Sequence, residues 1–158
     1  MTSLNRRRLV AAIALLPLAV GSTHAAPALP KMTVSKDPNC GCCGAWIDYL
    51  RADGFAVEVV ERADMGRIKS ELGVPADLQS CHTAQIGNYV IEGHVPADSI
   101  RRLLTEQPQA TGLAVPGMPA SAPGMDVPGA RDSYDVVLFG AAGAKRYARY
   151  QGRRRFAD

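Results

Sequence analysis

Residues 32–47 read Met32-Thr33-Val34-Ser35-Lys36-Asp37-Pro38-Asn39-Cys40-Gly41-Cys42-Cys43-Gly44-Ala45-Trp46-Ile47. Residues 32–35 favour a strand and Asp37-Pro38-Asn39 a turn. From residue 41 to 53 the spacing becomes helical, with Ala45, Ile47 and Leu50 marking a buried stripe, Trp46 fitting it less regularly, and Gly54 as the stop. Three thiols therefore stand where a strand hands over to a helix. Unpaired amides and the positive end of the helix dipole favour thiolate there, and thiolate is both a redox nucleophile and a soft metal donor. Packing or a single disulfide needs fewer than three.

Cys40 and Cys43 have the Cys-x-x-Cys separation. Order and spacing resemble the redox corner of the thioredoxin superfamily. Cys42 is the departure, because a third thiol beside such a pair attacks mixed disulfides and scrambles exchange.

Downstream, residues 56–60 alternate as a strand, and Asp64 caps a helix that passes through Ile68 and Leu72 and ends at Gly73 and Pro75. The loop 74–80 delivers Cys81, followed by His82 and Thr83. Ala84-Gln85-Ile86 and Tyr89-Val90-Ile91 flank Gly87-Asn88 as a hairpin, and Pro96 opens a third helix over residues 98–104. Residues 107–133 carry Pro108, Pro116, Pro119, Pro123 and Pro128 among glycines, and predict a loop without regular structure. Within it Pro116-Gly117-Met118 recurs as Pro123-Gly124-Met125. Residues 134–139 form the last strand. The expected fold is α/β (α+β), a thioredoxin-like β-α-β-α-β-β-α core with a long Gly/Pro/Met loop and an added C-terminal strand.

Arg6, Arg7 and Arg8, an apolar run over residues 9–20 and Thr23-His24-Ala25-Ala26 have the pattern of a secretory signal peptide, residues 1–26. The run is too short for a transmembrane span. The chain carries 18 basic and 15 acidic residues, so removing those three arginines leaves it formally neutral. That balance argues against a nucleic-acid partner. Residues 27–150 are expected as one domain and residues 151–158 as a basic, solvated tail. Export to the periplasm permits disulfides, which keeps both metal and disulfide readings of the cysteines open.

If the topology holds, Cys81 meets the trio Cys40, Cys42 and Cys43, and His94 lies on the same side of the sheet. Met118 and Met125 sit in a loop without apolar periodicity, which weakens a core role. Thioether, thiolate and imidazole together select Cu(I). The blander readings are two structural disulfides or a closed zinc site, although zinc ligands normally come as two separated knuckles. His82 reads equally as a loop hydrogen-bonder or a ligand. Glu92 and Asp98 read as surface charges, and Trp46, Tyr49 and Tyr89 as core.

Asn39-Cys40-Gly41-Cys42-Cys43-Gly44, Cys81-His82-Thr83-Ala84, Glu92-Gly93-His94-Val95-Pro96 and Gly112-Leu113-Ala114-Val115-Pro116-Gly117-Met118-Pro119 together resemble the CopG-type periplasmic copper-resistance proteins. The likeness runs from about residue 32 to 150. It implies a thioredoxin-like fold, copper at the cysteine cluster, and a role in copper redox interconversion and resistance. By that likeness Cys40, Cys42, Cys43 and Cys81 are metal-site residues, with His94, Met118 and Met125 as further ligands. The family's loop reads Pro-Gly-Met-Pro-x-Gly-Ser-Pro-Gly-Met. Here Pro119-Ala120-Ser121-Ala122-Pro123 lacks the inner glycine.

The leading expectation is a periplasmic protein that interconverts Cu(I) and Cu(II), with Cys40 and Cys43 as the redox pair, or hands copper to other envelope copper-handling proteins. The rivals are a thiol-disulfide oxidoreductase without a physiological metal and a passive metal chaperone.

Overall fold

A computed structural model describes residues 29–157, so the expected signal peptide lies outside the described residues. The described strands are β1 (Met32–Lys36), β2 (Val57–Glu61), β3 (His82–Ile86), β4 (Tyr89–Glu92), β5 (Gly112–Ala114), β6 (Ser133–Gly140), β7 (Gly143–Gln151) and β8 (Arg154–Arg155). They form one sheet in the order β2-β1-β3-β4-β5-β6-β7-β8. Helix α1 (Gly41–Ala52) joins the parallel pair β1 and β2, and α3 (Ala97–Glu106) joins the parallel pair β4 and β5. Helix α2 (Met65–Glu71) and a 3-10 turn (Ala76–Leu78) lead from β2 to β3, which pairs antiparallel to both β1 and β4. The chain is thus a mixed α+β protein, and its element order matches the expectation through α3.

Alternation along the strands divides the core between the two faces of the sheet. Ile91, Leu113, Val136 and Leu138 pack with Trp46, Ile47 and Leu50 of α1 and with Ile100 and Leu103 of α3. Their neighbours Val90, Ala114 and Phe139 face the other way, against Val74 and Leu78. The stripe on α1 is Cys43, Trp46, Ile47 and Leu50, whereas Ala45 is exposed. Trp46 therefore belongs to the stripe and Ala45 does not, since one residue's rotation of about 100° takes position 45 away from the core. Trp46 is fully buried, and truncating it to alanine costs about 3–5 kcal/mol. Tyr49 and Tyr89 pack partly buried against the same core.

The C-terminal third carries more sheet than the sequence shows. Strand β5 interrupts the proline-rich segment, and a Cβ at its Gly112 would overlap the Val90 carbonyl, so only glycine lets β5 approach β4. Three residues are too few to display a period. In β7, Tyr147 is an extra residue between the pairs Val136–Ala148 and Val137–Arg146, and this bulge breaks the two-residue alternation. The added strand expected after the loop is therefore three strands, β6 to β8.

Much of the basic C-terminal segment is paired within the fold. Arg146 and Arg149 approach Asp135 at 3.4 and 3.7 Å, and Arg153 reaches Asp126 at 2.9 Å. Among the described residues no helix is long and apolar enough to cross a membrane.

Candidate metal centre

The turn Asp37-Pro38-Asn39 sets the start of α1. Asn39 N donates to Asp37 Oδ1 at 2.8 Å and Cys40 N donates to Asp37 O at 3.0 Å, leaving Cys40 at the N-cap in extended backbone. Cys42 and Cys43 follow in the first turn, where amide donors lack intrahelical partners. Cys40 and Cys43 are joined as a disulfide, and Cys42 and Cys81 are free. Cys42 Sγ lies 3.7 Å from Cys40 Sγ and 4.0 Å from Cys81 Sγ. All four sulfurs lie within 4.8 Å of one another, so the expected meeting of Cys81 with the trio is realised.

A second cluster shares Cys81. Its sulfur lies 3.2 Å from His82 Nδ1 and 3.3 Å from His94 Nε2. His94 Nδ1 donates to the Pro123 carbonyl at 2.7 Å. A carbonyl only accepts, so this bond puts the ring proton on Nδ1 and leaves the Nε2 lone pair aimed at Cys81. The His82 ring packs 4.3 Å from the Trp46 ring and 5.0 Å from the His94 ring, and its Nε2 is buried without a hydrogen-bond partner among the described residues.

Burial sets the protonation of this cluster. It pushes the Cys81 thiol up to about 11, aided by the neighbouring Cys42 sulfur. Burial also lowers His94, and it drives His82 well below its ordinary value together with the nearby His94 and Lys69. Both imidazoles are therefore neutral near pH 7, the form that ligates metals. The two free thiols and two neutral imidazoles, joined by Cys40 and Cys43 once their bridge is reduced, suit a soft metal ion and offer no carboxylate to a hard one.

Beneath the cluster lies a polar network that the sequence reading missed. Glu92 is fully buried, not a surface charge, and its Oε1 accepts from Lys69 Nζ at 2.6 Å and from Ser80 N at 2.6 Å. Thr83 Oγ1 donates to Glu92 Oε2 at 2.7 Å and accepts from Lys69 Nζ at 3.0 Å. Thr83 and Glu92 sit opposite each other in the β3–β4 ladder. That pairing was legible from the hairpin; the arrival of Lys69 from α2 was not. The network grips Ser80 and Thr83 on either side of Cys81 and His82. Asp98 is exposed, as expected, and accepts from Tyr150 Oη at 2.7 Å.

Both Pro-Gly-Met copies are anchored beside the cluster. Ser80 Oγ donates to the Gly117 carbonyl, and Gly117 N donates to Gln79 O at 3.4 Å. At the second copy the Pro123 carbonyl meets His94, and Gly124 presses on the Trp46 backbone. Met118 is 58% exposed, while Met125 is half-buried against the main core. A shallow depression of about 350 Å³ between residues 108–110 and 138–145 includes none of the cysteines or histidines.

Residues 78–125 match the family described as "Protein of unknown function, DUF411", a span that holds Cys81, His82, His94 and both Pro-Gly-Met copies but not Cys40, Cys42 or Cys43. Two solved structures named "Copper resistance protein copG", Form 2 and Form 1, are each 45% identical to the chain. They align with TM-scores of 0.74 and 0.73 over 77% and 78% of this chain, and over 98% and 99% of their own. Among curated proteins none matches.

Proposed function

Because the chain belongs to the CopG family of copper-resistance proteins, we propose that it is an exported periplasmic protein that binds copper as cargo and changes its valence. In the reduced chain Cys40, Cys42, Cys43 and Cys81 supply thiolates, His94 supplies Nε2, and Met118 and Met125 supply thioethers. Oxidising the Cys40–Cys43 dithiol joins the two sulfurs, releases two protons to water and passes two electrons to two Cu(II) ions, which become Cu(I). The same oxidation removes two soft donors, so copper load and thiol state are coupled. Copper then leaves for other envelope copper-handling proteins.

The observation that carries this reading is the 4.0 Å between Cys42 Sγ and Cys81 Sγ, residues 39 positions apart in sequence. A plain Cys-x-x-Cys enzyme has no use for either sulfur. The test is Cu(I) stoichiometry in the anaerobically reduced protein and in Cys42→Ser. Copper per chain falls in the variant; an unchanged value removes the shared cluster.

The Cys40–Cys43 bridge favours one second reading, a thiol-disulfide oxidoreductase without a physiological metal. That protein reduces insulin in metal-free form, depends on Cys40 and Cys43, and is indifferent to Met118 and Met125. A passive chaperone is separated from the copper-redox reading by following copper valence, since it shows no turnover.

A further inference from the structure

We propose that Cys42 and Cys81 form a second dithiol–disulfide couple beside Cys40–Cys43, so that one chain exchanges four electrons instead of two. The proposal deepens the copper-redox reading, on which its physiological role rests.

With Cys40 and Cys43 bridged, the thiols that remain are Cys42 and Cys81. They come from different elements, the first turn of α1 and the loop entering β3, yet the fold holds their sulfurs 4.0 Å apart. The entropy of closing that long loop has already been lost in folding, so bridging needs the two sulfurs to close from 4.0 Å and the departure of two protons and two electrons. Both residues are half-buried, within reach of a small oxidant, whereas Cys43 is fully buried beneath them.

Oxidation joins Cys42 Sγ to Cys81 Sγ, releases the two thiol protons to water and passes two electrons to the oxidant. In the envelope that oxidant is a pair of Cu(II) ions, each reduced to Cu(I). With one bridge closed, the chain keeps two thiols and His94 for copper. With both closed it keeps no thiol, and Cu(I) loses its strongest donors. The second couple thus separates a copper-holding state from a copper-releasing one.

The test uses metal-free, fully reduced wild-type protein, so it does not depend on copper binding. Diamide, a small thiol oxidant, is added in steps, and the remaining thiols are alkylated, counted by mass and mapped by peptide. Alkylated thiols fall from four to two to none, and the final species carries a Cys42–Cys81 cross-link. In C42S/C81S they fall from two to none in one step. Cys42 and Cys81 staying alkylated at excess diamide overturns the proposal. So does pairing of Cys42 with Cys40 or Cys43, or a bridge between two chains. A chain that closes both bridges yet binds no Cu(I) when reduced sinks the copper reading and leaves this couple standing.

Discussion

His94 Nδ1 donates to the carbonyl of Pro123 across 2.7 Å, and this bond joins the end of the β3–β4 hairpin to the second Pro-Gly-Met copy. It fixes the tautomer of His94, turns Nε2 towards Cys81, and holds Met125 two residues beyond the carbonyl that His94 grips. Loop conformation and ligand geometry are therefore one property. Arg153, from the turn between β7 and β8, extends the tie by pairing with Asp126, whose carboxylate also accepts from Gly124 N at 3.0 Å.

Gly124→Val tests that tie. Gly124 has φ +82°, and a Cβ there would lie 2.5 Å from Trp46 N and 2.7 Å from Trp46 Cα, backbone atoms that cannot swing aside. The strained dihedral alone costs about 1–3 kcal/mol, and the overlap pushes the loop off α1. Urea denaturation reads the loss of stability, and competition with a Cu(I) chelator reads a weaker affinity. Gly117→Val, at φ +67° with open space around it, carries only the dihedral cost. Equal effects from the two variants would mean that Gly124 does not seat the loop.

The Lys69–Glu92 pair makes a second prediction. Both side chains are withdrawn from water, and Glu92 also holds Ser80 N beside Cys81. Removing one partner leaves a buried charge uncompensated, so Glu92→Leu and Lys69→Met each cost about 3–5 kcal/mol in chemical denaturation. The double variant removes both charges and loses less than the worse single variant. Additive losses would show that the two groups do not act as a pair.

What was legible in the sequence followed from short-range rules. The strand, turn and helix around Cys40, the Gly87-Asn88 hairpin and the Asp64 cap are local, and the hairpin then delivers Cys81 to the strand beside β1. Glu92 was misread because burial of a charge depends on a partner 23 positions away in another element. Strand β7 was missed because consecutive Tyr147 and Ala148 are both buried at a bulge, which a two-residue period cannot represent. His82 stayed undecided because the strand was expected only from Ala84, whereas His82 opens β3 fully buried, with its Nε2 unpartnered among the described residues.

Neutral buried histidines predict acid sensitivity. Folding lowers His82 strongly and His94 less, burial being the first cause for both, while the unfolded residues titrate near the ordinary value of about 6.5. Below that pH the unfolded chain takes up protons that the folded chain refuses. Stability present above about 6.5 is therefore lost as the pH falls towards the folded values. Thermal melts of metal-free protein from about pH 7.5 down to about pH 5 show a falling Tm. His82→Gln/His94→Gln shows a flatter profile; an identical slope in that variant assigns the loss to other groups.

Copper binding has its own proton linkage, with the opposite partner. Burial first, and then the Cys42 sulfur, hold the Cys81 thiol up to about 11, so near neutral pH it is protonated in the metal-free chain. A ligating thiolate must give that proton up, so Cu(I) affinity rises about tenfold per pH unit for this site alone until the thiol itself ionises. In Cys81→Ala this contribution disappears, while protons displaced from the other thiols are unchanged. The measurement is Cu(I) affinity of the reduced protein against pH, by competition with a chelator of known proton dependence. The slope of log affinity against pH falls by about one in the variant. Parallel lines would show that copper leaves the Cys81 proton in place, and the thiol that β3 brings to α1 would then be a neighbour of the metal rather than its ligand.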